Sequence, residues 1–396
     1  MNAAPTAFKN SAAGSGANSG AKPAATRLLL TDFRSYAALD IRPAAGLVVL
    51  TGENGAGKTN LIEAISLLSP GRGLRRADLA DCARAGGPGT FAISAEIAGQ
   101  DDTIQLGTGT EIQAENGLVR RYRLNREPVA SIRAFADYIR IVWLTPAMDG
   151  LFAGPAGERR RFLDRLVLAL DSEHGGRVNA LERALRNRNR LLENAARDRQ
   201  WLDAAEREVA ELAVAVAAAR NETVAHLMQV ILQDKDTASP FPFAELTLDG
   251  DVEDLIATRP ALEAEDIYRD RLRQNRARDA AAGRTLIGPH AADLRVIHGP
   301  KQAEAERAST GEQKALLVGI VLAHARLVAA LSGIKPIILL DEIAAHLDAA
   351  RRAALYDRLT ALGSQVFMTG ADRAAFAGLE ERAQFFEVTP GRVDPA

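Results

Sequence analysis

Gly46-Leu47-Val48-Val49-Leu50-Thr51-Gly52-Glu53-Asn54-Gly55-Ala56-Gly57-Lys58-Thr59-Asn60-Leu61-Ile62-Glu63-Ala64-Ile65 is the stretch on which the fold turns. It opens with an apolar run of strand length. From Asn60 to Leu68 the apolar residues fall at helical spacing. Between the two lies Gly52-x-x-x-x-Gly57-Lys58-Thr59, a glycine-rich loop in the strand–loop–helix setting that phosphate binding requires. The glycines let backbone N–H groups approach phosphate oxygens closely, and the helix N-terminus adds a favourable potential for an anion. Lys58 neutralises β- and γ-phosphate charge, and the Thr59 hydroxyl suits Mg²⁺. The stretch predicts an ATP site lined by Gly52, Glu53, Asn54, Gly55, Ala56, Gly57, Lys58, Thr59 and Asn60. A purely structural glycine turn before a helix would look similar, but here every motif position is filled.

Leu28-Leu29-Leu30 and Ala38-Leu39-Asp40-Ile41 read as short strands about the turn Asp32-Phe33-Arg34-Ser35. Phe91–Ile97 and Thr103–Leu106 read as two more. Near the other end, Lys335–Leu340 is a buried strand closing on Asp341-Glu342, and Gln365–Thr369 is another. An apolar strand ending in two acids sets carboxylates at the carboxyl edge of a sheet, where open α/β folds bind ligands. Asp341 reads as a Mg²⁺ ligand, directly or through water. Glu342 reads as the group that orients or polarises an attacking water, with Lys58 as its catalytic companion. A solvated acidic pair at a strand end is the plain alternative. Strands and helices alternate at both ends, which implies an α/β sheet.

The middle has another character. Leu202, Ala205, Val209, Leu212, Val216 and Ala219 alternate steps of three and four, a heptad-like seam. Leu181, Leu185, Leu192 and Ala195 share that spacing, with Arg188 where an apolar residue belongs. The charged Arg197-Asp198-Arg199-Gln200 lies between. An antiparallel helical hairpin is the simplest reading, and one long surface helix is the alternative. Pro240-Phe241-Pro242 ends the helical region, a strand resumes at Leu246-Thr247-Leu248, and Arg269–Ala282 reads as a very polar helix. The expected plan is a disordered tail over 1–26, sheet over 27–150, a helical insertion over 151–284, and sheet again over 285–396.

Within 396 residues, 47% hydrophobic and 25% charged content is enough for a sizeable core. No apolar run approaches the roughly 20 residues that span a bilayer. The Ala-, Ser- and Gly-rich Met1–Thr26 lacks a signal-peptide core. Cys82 stands alone, which excludes an internal disulfide framework and points to the cytosol. A net charge of −2 excludes a globally basic nucleic-acid protein, so any DNA contact needs a local basic face. Arginines cluster at Arg72, Arg75 and Arg76, at Arg120 to Arg126, at Arg159 to Arg161, at Arg186 to Arg190 and at Arg269 to Arg278. Such runs are usually solvated faces, and Arg159–Arg161 suits bracing of the insertion equally well.

Ser309-Thr310-Gly311-Glu312-Gln313 precedes the apolar helix Ala315–Ala330 and resembles the signature loop of ABC-type ATPases. In that family the loop binds the γ-phosphate of ATP held by the other subunit. Ser309 and Glu312 also fit a helix capping box, and one geometry serves both roles. Ala344-Ala345-His346-Leu347-Asp348 resembles the D-loop that follows. From Leu28 onward the chain resembles the RecF family of bacterial DNA replication and repair proteins. Leu30–Tyr36, the loop running into Asn60–Ile65, Pro146–Asp164 with Arg159-Arg160-Arg161-Phe162-Leu163-Asp164, Gly288-Pro289-His290 with Asp293-Leu294, and Leu340–Asp348 carry the resemblance.

The resemblance implies an ABC/SMC-like P-loop ATPase head with an inserted, short coiled-coil-like helical arm. It implies an ATP-dependent homodimer that binds DNA without sequence preference, at linear duplex or at single-strand/double-strand junctions. RecR and, in many bacteria, RecO would be partners in loading RecA during gap repair and fork maintenance. SMC-type ATPases that partner break-repair nucleases share the head but carry a longer insertion. A transporter's nucleotide-binding subunit is the other rival. Three departures stand out. Ala291 follows Pro289-His290 where the family places Arg. Thr369-Gly370 stands where transporter ATPases carry a γ-phosphate-sensing His. No glutamine of Q-loop type lies near Trp143–Asp149. The last two predict slow hydrolysis, with ATP acting mainly as a switch.

Overall fold

The computed structural model describes residues 23–99, 102–115, 117–193, 199–235, 239–344 and 347–396. The chain opens with β1 (Ala24–Phe33), β2 (Tyr36–Ile41), β3 (Leu47–Thr51), α1 (Lys58–Ser66), the short α2 (Leu79–Cys82), β4 (Ala92–Ala98), β5 (Thr103–Gln113), β6 (Gly117–Leu124), β7 (Glu127–Val129) and β8 (Ile141–Leu144). Helices then dominate: α3 (Ala156–Leu170), α4 (His174–Glu193) and α5 (Arg199–Gln233), then β9 (Ala244–Asp249), α6 (Asp251–Thr258), α7 (Ala261–Gln274) and α8 (Arg276–Ala282). The return comprises β10 (Asp293–His298), β11 (Ala303–Glu304), α9 (Thr310–Ser332), β12 (Ile337–Leu340), α10 (Ala349–Leu362), β13 (Val366–Gly370), β14 (Ala383–Thr389) and β15 (Arg392–Pro395).

The central sheet runs β15-β14-β3-β13-β12-β8, parallel except for the edge hairpin β14–β15. Successive strand side chains face opposite sides, so a strand covered on both sides must be apolar throughout. Leu47, Val49, Val142, Leu144, Ile338 and Leu340 enter a core with α3, α9, α10 and the C-terminal part of α5. Val48, Leu50, Ile141, Trp143, Ile337 and Leu339 enter a second core with α1 and the antiparallel sheet β2-β1-β4-β5-β6-β7. The continuous apolar runs at 47–50 and 337–340 are thus explained by burial on both faces.

Helix α9 corrects one expectation. It is long and apolar enough to cross a membrane by length and composition. Its apolar residues are instead spent in the core, where Ala315, Leu316, Ile320, Val321 and Val328 are all buried.

The insertion contains the hairpin, α4 packed on α5; residues 194–198, which include Ala195 and the first half of the charged interruption, lie outside the described residues. Leu202, Ala205, Val209 and Val216 are buried along the seam; Leu212 and Ala219 are half-buried. The hairpin is not a bare coil, because α6 and α7 pack on it through Val252, Leu255, Tyr268 and Leu272. Arg188, the apparent flaw in the seam, is fully buried. Its Nε lies 3.2 Å from Glu206 Oε1, its Nη1 donates to Asp279 Oδ2 and Thr285 Oγ1 at 2.7 Å each, and its Nη2 donates to Leu272 O at 2.8 Å. The polar helix expected over 269–282 divides at Asn275, whose side-chain amide donates to Arg271 O.

Two expected boundaries move. Ala24–Thr26, placed in the tail, belong to β1: Ala24 pairs with Ala98 and Ala25 with Ile97. Gln365 fixes this end, accepting from Ala25 N at 2.8 Å and donating to Ala25 O at 3.0 Å. Residues 1–22 of that tail lie outside the described residues. The division at 284/285 cuts a sheet, because β9 pairs antiparallel with β10 across it.

Candidate functional site

Strand β3 delivers Gly52 to the sheet's edge, and α1 starts at Lys58. Gly52 has a φ of 148°, and a Cβ there would stand 2.2 Å from Val388 O on β14. Gly57 has a φ of 115°, and its Cβ would meet Ser35 Oγ at 2.8 Å and Tyr36 OH at 2.9 Å. No side chain fits either position, so the backbone itself lines the loop. The β1–β2 turn clamps it from outside: Tyr36 OH donates to Gly57 O at 3.1 Å, and Asn60 Nδ2 donates to Ser35 Oγ at 2.9 Å. Burial pushes the Tyr36 phenol up, so it remains a donor. Glu53, Asn54 and Gly55 form an exposed crest, closed by Ala56 N donating to Glu53 O. Lys58 is buried beneath, with Nζ donating to Gly52 O at 2.6 Å and Glu53 O at 2.8 Å. Burial pulls this ammonium's pKa down, and the nearby Glu342 and Asp341 act against that.

The acid strand arrives beside it. Thr59 Oγ1 donates to Asp341, 2.9 Å from Oδ1 and 3.2 Å from Oδ2. Thr369, at the end of β13, donates to Asp341 Oδ1 at 2.7 Å and accepts from Glu342 N at 2.9 Å. Glu342 has a φ of 53°, a left-handed conformation uncommon outside glycine and often kept at functional sites. Lys58, Thr59, Asp341 and Glu342 therefore converge, although 282 positions separate Thr59 from Asp341. In the sequence Thr369 stands out only as the absence of a histidine. The available signal was a polar residue ending an apolar strand that neighbours the acid strand. One hydroxyl and one carboxylate side by side fit Mg²⁺, which keeps several waters and takes few protein ligands. Among the described residues no cluster of three or more His, Cys, Asp or Glu offers a closed metal cage.

The second constellation stands elsewhere in the chain. Ser309 caps α9 in a full capping box: Glu312 N donates to Ser309 Oγ at 3.4 Å and Ser309 N to Glu312 Oε2 at 3.1 Å. Lys301, then the Ser309 N–H and hydroxyl, hold the Glu312 carboxyl down to about 2. Ser309 and Thr310 are exposed, whereas Gln313 turns inward and donates to Glu306 O and Ala308 O. Asp348 caps α10 by accepting from Arg351 N at 2.8 Å. The Arg351 side chain continues to Gly311 O at 3.3 Å and Pro240 O at 3.3 Å. One arginine thereby joins the segment resembling a D-loop to the segment resembling a signature loop; Ala345 and His346 lie outside the described residues. Among the described residues, Ser309–Gln313 make polar contacts with 301–308, with Arg351 and with each other. Those of the phosphate loop are with Ser35, Tyr36, Arg75 and Asp341.

In the turn after β8, where a glutamine was sought, Asp149 pairs with the buried Lys314 of α9 at 3.0 Å. Arg159 forks onto Asp293 at 2.8 and 2.6 Å, and Arg160 donates to Ala292 O at 2.6 Å. Both brace α3 against β10, the structural alternative read from the sequence. Beside Ala291, Pro289 O accepts from Arg220 Nη1 at 2.7 Å, so an arginine 69 positions away occupies this corner.

The family described as the RecF/RecN/SMC N terminal domain matches residues 24–393. The DNA replication and repair protein RecF of Rhizobium rhizogenes is 55% identical over 368 residues, 93% of this chain and 97% of that protein. Its counterpart from Rhizobium meliloti is 54% identical over 93% of this chain and 98% of its own. The solved structure of the recombination mediator protein RecF-ATPrS in the RecFOR pathway shares the fold, with a TM-score of 0.84 at 20% identity, covering 96% of this chain and all of that one. A Smc head domain from Pyrococcus furiosus, with an extended coiled coil and bound to the C-terminal domain of ScpA, follows at a TM-score of 0.52 and 17% identity, covering 94% of this chain and 96% of that one. Relatives of this identity over nearly the whole length select one family among the three P-loop classes that share such a head: the chain belongs to the RecF family of DNA replication and repair proteins.

Proposed function

We propose that this chain binds ATP with Mg²⁺ at Gly52–Asn60 and uses it as a switch that closes a homodimer on DNA, with slow hydrolysis. The observation that carries the reading is the separation of two half-sites in one chain. Lys58, Thr59, Asp341 and Glu342 converge at one place. The capped N-terminus of α9, with Ser309 and Thr310 exposed and Gly311 half-buried, stands at another. A helix N-terminus facing outward is an anion site without its anion's owner. A second copy supplies it: Lys58 of one subunit and Ser309 and Gly311 of its partner enclose the triphosphate.

Lys58 neutralises phosphate charge, and Thr59 and Asp341 would hold Mg²⁺, which would supply further positive charge to offset the phosphates. Glu342 orients the attacking water. Thr369 explains the slow turnover: its hydroxyl is already committed to Asp341 and to Glu342 N–H, so it does not replace a histidine free to sense the γ-phosphate. DNA is held without sequence preference, at linear duplex or at junctions, in the cytoplasm. RecR, and RecO where present, would receive the closed dimer for RecA loading at gaps.

Sedimentation with and without ATP tests the switch. Wild type should dimerise with ATP, and Lys58→Ala should remain monomeric. Undiminished dimerisation of that variant overturns the sandwich. Unchanged dimerisation of Ser309→Arg would remove the signature loop from it.

A further inference from the structure

Most arginine clusters are spent within the fold. On α7, Arg269, Arg271 and Arg273 each face a carboxylate. Arg188 is buried, and Arg159 and Arg160 brace α3. The segment after α1 differs. It is firmly built: Leu74 is buried with its N–H on Ser66 Oγ at 2.9 Å, and Arg120 donates to Leu67 O and Gly71 O. This frame sends neighbouring arginines in different directions. Arg75 turns in to Glu63 at 2.9 Å and Asn60 at 2.7 Å. Arg76 adopts a left-handed φ of 57°, unusual for a non-glycine residue, and stays exposed. Among the described residues no hydrogen bond or ion pair holds its guanidinium.

Arg76 lies close enough to Arg161 on α3 and to Arg72 for each of them to repel it. Behind them Arg165 packs over the rings of Trp143, at 5.0 Å, and Phe162, at 5.2 Å, with its terminal nitrogens 3.3 and 3.4 Å from Met148 Sδ rather than on a carboxylate. The nearby acid, Asp164, is already taken by Arg220 at 2.8 and 2.9 Å and by His174 at 2.8 Å. Among the described residues the acids paired with the cluster are the exposed Asp78, on Arg72, and Glu158, on Arg161. Cations from two elements thus outnumber the anions paired with them, which suits a continuous polyanion.

We infer that Arg76 and Arg161, backed by Arg165, grip the phosphodiester backbone of DNA at the junction of the loop after α1 with α3. This rests on the DNA-binding reading above and gives it a place. Backbone contact of this kind carries no base readout, so it serves every sequence alike.

The test uses the full chain with ATP and a linear duplex, following affinity from 50 to 200 mM salt. Each phosphate contact contributes close to 0.9 to the slope of log affinity against log salt. The pair Arg76→Asn and Arg161→Gln should therefore lower that slope by about 2. Asparagine is chosen because it tolerates the left-handed backbone. Arg269→Gln, on the neutralised face of α7, should leave the slope unchanged. ATP-dependent dimerisation of the double variant should match wild type. An unchanged slope in the double variant overturns the inference. So does loss of ATP-dependent dimerisation, which would assign the cluster to the nucleotide instead. If wild type itself binds no DNA, the broader DNA-binding reading is what falls.

Discussion

Lys58 and Arg188 are both buried cations, and they are held in opposite ways. Lys58 has two backbone carbonyls from its own loop, with Asp341 and Glu342 as electrostatic neighbours. Arg188 has two carboxylates, a hydroxyl and a carbonyl, gathered from α5, α8, the segment after α8, and α7. The first arrangement is local and leaves the charge available. The second closes on itself and ties four segments of the arm together. A buried charge prepared for a ligand and one that serves the fold are thus told apart by where their partners come from, not by burial.

The largest effect should come from breaking the closed arrangement. Arg188→Ala leaves Asp279 buried without its cation and Glu206 with Arg276 alone, and should cost about 3–5 kcal/mol in urea unfolding. Lys58→Ala should change stability by less than about 1 kcal/mol, since only carbonyls beside an exposed crest lose a partner. Equal losses in the two variants would erase the distinction.

His324 lies between these cases. It is buried, with Nε2 2.9 Å from Leu166 O and Nδ1 without a partner. Burial, with some help from the nearby Arg165, holds its pKa down to about 4. Between that value and the ordinary 6.5 the unfolded chain takes a proton that the folded chain refuses, so stability falls as pH drops through this window. The loss should reach about 3 kcal/mol near pH 4. His324→Gln should flatten this dependence in unfolding measured from pH 7 to 4; an unaltered slope would exclude His324 as its source.

The smallest effect concerns the outward-facing helix end. Ser309→Ala should cost about 1 kcal/mol through loss of the cap, and Ser309→Asp should restore it. Thermal unfolding without nucleotide separates this capping role from any role with ATP.

The same contrast explains what could be read from sequence. The phosphate loop lies within eight consecutive residues, because one strand, one turn and one helix start suffice to build it. The capping box at Ser309 and the acid strand end at Asp341 are equally local. Arg188 looked like a defect, since Glu206, Asp279 and Thr285 lie 18 to 97 positions away and no spacing rule links them. The role of Thr369 is hidden for the same reason, as its partners follow the end of a neighbouring strand, 28 and 27 residues earlier. The start of β1 was missed because Ala24 and Ala25 have little strand character of their own; pairing with β4 and Gln365 holds them.

Arg351 has a mechanical consequence. Its side chain spans Asp348, Gly311 and Pro240, which belong to the cap of α10, the start of α9 and the turn between α5 and β9. It acts as a rivet through three plates. A displacement imposed on any one of them is passed to the other two without travelling through the sheet. The turn that leaves α5 and the rim of the head are thereby geared to each other through one side chain, in addition to the packing of α3 and α5 on the head core.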